Sequence, residues 1–452
     1  MEQFLKTELK QYSKNQLIEI IIAIQQGKTD LKLPVKNSDN SSIPSSKDIS
    51  KKETKNDNHK KKGPTFGHIG ISRKSCENPD IVIKQKITKC PRTGKEVKFE
   101  SKSFQKHQIF ELFPCTIKVI EIQRQITTGP DGKTIIAPNP PGIKNNQRFG
   151  PYLKCWISSL RYQYHMEWEN IRKLMKAFCQ VNISEGSLNN IFNELREECE
   201  SDYEKLGKNI KESDKIGADE TGARINGKKA WAWIFQTDDI SYYKIEDNRS
   251  HKVVEEVIGK DYKGTLVTDF FGAYSEKFFT EADFQKCIEH LKRDVIFSCE
   301  VNPENEGFSQ KLFKIIIESI KIKSDFVFGG LEFIQKREEI KVKLYKLLNQ
   351  NDLKLNAIEN RLKKRIIKYK DHLFTFLEKE NIPFDNNASE RDIRKIVIFR
   401  KIYGCFRTKE GANNLEVIFS ILETAKKNKE DVFQKIQNYL KVNLFKELLV
   451  NT

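Results

Sequence analysis

The sequence predicts an α+β protein of several domains, and three observations lead there. A length of 452 residues exceeds what one hydrophobic core normally organises and suggests two to four domains. Four strand-like segments crowd into about 60 residues from "KIGADETGARI" to "GTLVTDF". Long, strongly charged tracts with helical apolar spacing flank them on both sides. An apolar content of 38%, with 29 Phe, is enough for real cores.

Charge and thiols narrow the function classes. The net charge is +17 and the pI about 9.2. Such a balance favours a polyanionic partner, because Lys and Arg gain affinity by releasing counterions from phosphates. A basic surface also serves plain solubility. The most apolar run, "LIEIIIAI" at 17–24, is far too short to span a bilayer and contains Glu19, so no membrane partner is expected. The N-terminus lacks a signal-peptide layout. Nine cysteines, an odd number without framework spacing, read as reduced thiols in a cytoplasm.

In chain order, residues 1–27 predict one amphipathic helix ending at Gly27. Residues 28–63 are rich in Lys, Ser, Asn and Asp, cannot repay their ordering entropy and predict a disordered linker. Residues 64–149 predict a small β-rich module: "DIVIKQKIT" and "TIKVIEIQRQIT" alternate, and "TGPDGKTI" signals a turn. "CPRTGK" at Cys90 invites zinc but places Thr93 where a knuckle wants cysteine. Cys76, His107 and Cys115 form no pair either, so structural zinc is not expected. Residues 150–210 are helical, with Ser184 as an N-cap for the third helix. That helix carries Asn189, Asn190 and Arg196. Two readings stand: a helix-turn-helix or an ordinary helical bundle.

Residues 211–288 predict a three-stranded meander, a crossover helix at "HKVVEEVIG" and a fourth strand. Residues 289–382 are helical, and three helices follow, from 386 to about 401, across 411–427 and across 430–449. Two acids stand out. Asp219 lies in the first strand and Asp269 directly follows the fourth, positions where a carboxylate is costly unless a cation offsets its desolvation. Were those two strands parallel neighbours, the acids would meet, and hard oxygen ligands would suit Mg²⁺. Glu390 offers a third. It sits with Arg394 and Lys401 beside a stripe of Ile393, Ile396 and Val397, near a helix start that Asn386, Asn387 or Ser389 could cap and whose dipole keeps a carboxylate ionised. The alternatives are a turn acid, an N-cap and an ion pair with Arg394.

The blocks "DETGARINGKKAWAWIF", "RSHKVVEEVIG", "GTLVTDFFGAY", "CIEHLKRD", "DNNASERDIRKIVIFRKIYGCFRTKEGANNLEVIFSILETAKKN" and the upstream "FGPYLKCWISSLRYQYHMEWENIRKLM" resemble the DDE transposases of the insertion sequence 66 family, in the family's order, over about residues 150 to 430. The resemblance implies a ribonuclease-H-like mixed α/β catalytic core in two parts, 211–288 and 383–452, with a helical insertion at 289–382. A helical, helix-turn-helix-like DNA-binding region and a β-rich module would precede it. It implies catalytic, metal-holding roles for Asp219, Asp269 and Glu390. The family's Cys-x-x-His block falls on Cys287 and His290, which lack a second pair and read as structural or as a contact near the site. The family's N-terminal Cys-x-x-Cys knuckles are degenerate here.

The mechanism so implied is in-line displacement at phosphorus with two Mg²⁺ ions (Mn²⁺ as an alternative) about 3.5–4 Å apart. One site would serve both cleavage of element ends and their joining to target DNA. Arg391, Arg394, Arg400 and Lys401 would hold the DNA backbone, and Phe270 or Phe271 could stack on an unpaired base, although packing suits at least one of them. The expected partners are the terminal inverted repeats, target DNA and a second copy of the chain, in a prokaryotic cytoplasm; helper proteins are not specified. A catalytically inactive DNA-binding relative and a metal-dependent nuclease without strand transfer remain as alternatives.

Overall fold

The computed structural model describes residues 147–301, 303, 307–350 and 354–443, with short pieces between 117 and 144. The expected N-terminal helix, the linker, most of the β-rich module, its Cys76, Cys90, His107 and Cys115, and the last residues of the final helix lie outside the described residues. Of the module, β1 (Ile126–Thr128) and β2 (Thr134–Ile136) pair antiparallel, with Ile126 opposite Ile136.

Three helices lead into the sheet: α1 (Pro151–Tyr162), α2 (Trp168–Cys179) and α3 (Glu185–Lys211). Pro151 opens α1 where its missing N–H costs nothing. Ser184 caps α3, its Oγ accepting the Ser187 N–H at 3.1 Å. These helices are not a detached unit. Leu188, Phe192 and Leu195 share one hydrophobic cluster with the sheet and the C-terminal helices, and Tyr203 stacks on Tyr242 at 4.6 Å.

The sheet comprises β3 (Lys215–Ile225), β4 (Lys228–Gln236), β5 (Ser241–Glu246), β6 (Thr265–Thr268) and β7 (Asp283–Lys286), in the order β5-β4-β3-β6-β7. β3, β4 and β5 form the antiparallel meander. Asn226 and Gly227, both at positive φ, make the tight hairpin that the right-handed strand twist favours. Helix α4 (His251–Ile258) then crosses over and β6 returns parallel to β3. The sequence reading missed β7, parallel to β6 on the far side. "DFQK" is four residues long, has no alternation, and becomes a strand by pairing with β6, while the Gln285 side chain bonds the Leu373 carbonyl and the Phe376 N–H.

Helices α5 (Ile288–Val301), α6 (Phe308–Asp325), α7 (Leu331–Asn349) and α8 (Ala357–Tyr369) occupy the segment expected to be helical. They enclose a second hydrophobic cluster around Leu312, Ile340, Leu344 and Ile366, joined to the sheet through Val267 and Ile288.

Three helices finish the fold: α9 (Asn387–Tyr403), α10 (Lys409–Lys427) and α11 (Val432–Tyr439). α10 covers the edge strand β5. Its Thr424 Oγ1, Ser420 Oγ and Glu416 Oε2 accept the backbone N–H groups of Ser241, Tyr243 and Ile245 at 3.0, 2.8 and 2.7 Å. Alternate donors that an edge strand would leave open are thereby satisfied. α9 is tied in by a buried charge network. Asp392 takes Ser241 Oγ at 2.7 Å, Lys395 at 3.0 Å and Lys427 at 2.9 Å, while Lys395 also reaches Glu423 at 2.6 Å. Burial alone would raise the Asp392 carboxyl, but Lys427 and Lys395 outweigh it and hold it below its usual range. Removing one member leaves buried charges uncompensated. Asp392→Ala is expected to lower unfolding stability by about 3 kcal/mol, read as a drop in the urea midpoint at unchanged slope.

Candidate active site

The geometry begins at the β3–β6 pair. Their parallel register sets Gly217 opposite Val267. Two residues further along each strand direction stand Asp219 and Asp269, level with each other where β6 ends. Asp219 is therefore mid-strand, not a turn acid; its Oδ1 accepts the Glu220 N–H at 2.8 Å. One Asp269 oxygen does cap the following turn, accepting the Phe271 N–H at 2.8 Å.

Glu390 arrives from α9, and its place depends on how close α9 lies to β3. A Cβ at position 217 would meet the Gln236 amide and come within 2.5 Å of Ser389 Oγ, so only glycine permits this approach. Asn386 Nδ2 donates to the Ala218 carbonyl at 2.8 Å, one residue from Asp219. The expected side-chain cap is not made: Asn386 occupies the N-cap position with its amide spent on β3, and Ser389 Oγ faces Gln236 at 3.4 Å. Asp385 instead accepts the Asn387 N–H at 3.0 Å. Further along α9, Arg400 donates to the Gly222 carbonyl and holds the other end of β3.

The acids sense one another. Burial, then the negative charges of Glu220, Asp269 and Glu390, push the Asp219 carboxyl up to about 8, against the lowering effect of its backbone hydrogen bond. Glu390 is not paired with Arg394. Its ionisable neighbour is His290, with Nδ1 to Oε1 at 3.6 Å, and both atoms are buried without a hydrogen-bond partner. Cys287 completes this corner: Cys287, His290 and Glu390 each offer a ligand atom within 4.8 Å of the others. Burial pushes the Cys287 thiol up to about 12, opposed by backbone N–H groups of His290 and Asn386.

Sequence reasoning missed two supports. Lys286, 1% exposed, donates to Thr268 Oγ1, the Asp269 carbonyl and the Tyr274 carbonyl at 2.9, 3.1 and 2.9 Å. It thus closes the loop carrying Asp269. Burial lowers its pKa to about 8, and the negative charge of Asp269 acts the other way. Glu220 is bound by Tyr274 at 2.7 Å and by Arg249, whose guanidinium lies over the Trp231 and Phe271 rings. A short strand without alternation carried no signal for Lys286. The "DET" block did contain Glu220, but its pairing with Arg249 depends on tertiary structure.

The residues expected at DNA divide. Arg391, Arg394 and Lys401 are exposed on α9, as is Asn190 on α3; Asn189 is half-buried. Arg196 pairs along its own helix with Glu200 at 2.7 Å and Glu197 at 3.5 Å. Arg400 points inward, as described. Phe270 packs edge-on to Tyr369 with Arg365 over its ring, and Phe271 lies under Arg249, so both rings are partnered by protein.

The structure thus defines an α+β protein with carboxylates gathered where β6 ends beside the middle of β3. Residues 146–414, more than half of the chain, match the Transposase IS66 family, and the chain belongs to that family. Over 68 residues it is also 35% identical to the uncharacterized protein y4jO of Sinorhizobium fredii (strain NBRC 101917 / NGR234), covering 15% of this chain and 21% of that protein. The chain spans about a fifth of the length of that curated relative. Among the described residues no helix is long and apolar enough to cross a membrane.

Crowded carboxylates cost stability. An acid whose folded pKa exceeds its unfolded value, about 3.9 for Asp, weakens the fold increasingly above that value. The penalty is complete above pH 8 and gone below pH 4. Asp219→Asn keeps the acceptor for the Glu220 N–H and removes the charge. Without divalent ions at pH 8 it should melt higher than wild type, on the order of 2 °C or more, by calorimetry; the difference should vanish near pH 4.

Proposed function

We propose that the protein is a DNA transposase that cleaves and joins phosphodiester bonds at the ends of a mobile element. Asp219, Asp269 and Glu390 would be its catalytic carboxylates. The observation that carries this reading is their convergence from β3, the end of β6 and the start of α9, across 171 positions of sequence between Asp219 and Glu390. The order β5-β4-β3-β6-β7, with an antiparallel meander beside a parallel pair, supports a ribonuclease-H-like core. The cluster at 288–382 supports a helical insertion before Glu390.

The donor set fits Mg²⁺ or Mn²⁺. It consists of carboxylate oxygens, one raised in pKa by its neighbours and one, Glu390 Oε1, buried without a partner; a divalent ion answers both. Bound there, two such ions would supply a nucleophilic oxygen and stabilise the leaving oxygen of an in-line displacement. The chain's own residues do the rest. Asp219 in the middle of β3 and Asp269 past the end of β6 hold their oxygens, fixed by the Glu220 and Phe271 N–H groups. Lys286 keeps the Asp269 loop closed over the β6 end. Asn386 and Gly217 set α9 against β3 so that Glu390 faces the pair. Arg391, Arg394 and Lys401 present cations to a phosphate backbone on the outward side of α9, with Asn189, Asn190 and Arg196 on α3 as further DNA contacts. Arg400 braces β3. In this reading terminal repeats and target DNA are the substrates, and two copies of the chain bring two ends together.

With DNA carrying the element's ends, the purified chain should cut only when Mg²⁺ or Mn²⁺ is added and should join the cut ends to a plasmid. Asp219→Ala, Asp269→Ala and Glu390→Ala should each reduce cleavage by about 10²–10³-fold or more. Cleavage by Asp269→Ala at the wild-type rate would sink the three-acid assignment. Cutting without joining would make the protein a nuclease, and binding without cutting an inactive relative.

A further inference from the structure

We propose that Cys287, His290 and Glu390 form a site for one thiophilic divalent cation of the Zn²⁺ class, separate in chemistry from the oxygen-lined site and sharing Glu390 with it.

β7 ends at Lys286, and Cys287 and His290 stand at the start of α5. Asn386 and Glu390 stand at the start of α9. The two helix starts meet: the Ile288 N–H donates to the Phe384 carbonyl at 2.8 Å and the Asn386 N–H to Cys287 Sγ at 3.3 Å. The sulfur thus lies at two helix starts, where N–H donors partly offset its burial.

Two further facts point to a ligand. His290 Nδ1 and Glu390 Oε1 are buried, unpartnered and 3.6 Å apart, too far for a hydrogen bond. Nitrogen and oxygen ligands about 2.1 Å from a tetrahedral Zn²⁺ stand roughly 3.4 Å apart. The gap therefore suits an ion between them, and Cys287 Sγ lies within 4.8 Å of a ligand atom of each residue. Sulfur, imidazole and one carboxylate select Zn²⁺ or Co²⁺ over Mg²⁺, which takes oxygen donors. Three protein ligands leave the fourth position open. Binding releases the Cys287 proton to solvent, and Sγ donates its electron pair to the ion. The Cys-x-x-His pair without a second pair in sequence is thus completed by a carboxylate about a hundred residues later.

The consequence for catalysis rests on the proposed function: an ion held here draws on the carboxylate that would serve the oxygen-lined site. Binding itself does not depend on that reading. The test titrates Co²⁺ into the metal-free full chain in excess Mg²⁺ and follows the thiolate-to-cobalt absorption in the near ultraviolet. Wild type should develop the band. Cys287→Ser should lose the contribution of this site, and His290→Gln should weaken it by about 100-fold or more. His290→Gln retains the buried thiol, so it decides the matter should Cys287→Ser fail to fold. No band in wild type, or a band of equal strength and affinity in folded variants, would overturn the proposal. Asp269→Ala should keep the band. A chain that shows it but never cleaves DNA would end the transposase mechanism and leave this site standing.

Discussion

The contact on which the structure depends is the approach of α9 to β3. It needs the missing side chain at Gly217, the amide of Asn386 on the Ala218 carbonyl and, fifteen or so residues along the helix, Arg400 on the Gly222 carbonyl. Both ends of the contact thus bind main chain of β3, whose carbonyls do not change with side-chain identity. Between them the Asp392 network ties the helix to β5 and α10. A helix held this way cannot slide by a turn without losing all three attachments, so the head group of Glu390 is fixed relative to the strands.

That rigidity opposes a real repulsion. Asp219, Glu220, Asp269 and Glu390 lie near one another, and burial raises the cost of charging each pair. Glu220 is neutralised by Arg249 and Tyr274 on its side of β3. No comparable cation faces Asp219 among the interactions that set its pKa. Lys286 reaches the Asp269 carbonyl, not its carboxylate. The protein therefore leaves the Asp219 carboxyl without a cation while giving Glu220 one next door, which is the pattern of a site kept ready for cations.

Much of this was legible in the sequence because local patterns and global fold agree there. β3, β4, β5, α4 and β6 followed from alternation and turn chemistry; that β3 and β6 lie as parallel neighbours was allowed by connection rules but open in the sequence. Asp219 and Asp269 stood out because an acid at the end of an apolar run is costly. β7 was hidden, since four residues carry too little pattern and its strand character comes from pairing with β6. The uses of Arg400 and Asn386 were hidden too: a cation on a helix border and an amide at a helix start have ordinary local roles, and only the proximity of β3 recruits them. His290 was read from its Cys-x-x-His block as structural or as a contact near the site; its pairing with Glu390 across a hundred residues was not.

The covering of β5 by α10 has a consequence for synthesis. The strand's donors at Ser241, Tyr243 and Ile245 find their acceptors only at Thr424, Ser420 and Glu416. At about 5–20 residues per second, the ribosome leaves this edge bare for on the order of ten seconds or more. In that interval the nascent chain offers an open, partly apolar border to any passing strand, and a holding chaperone would find its target there.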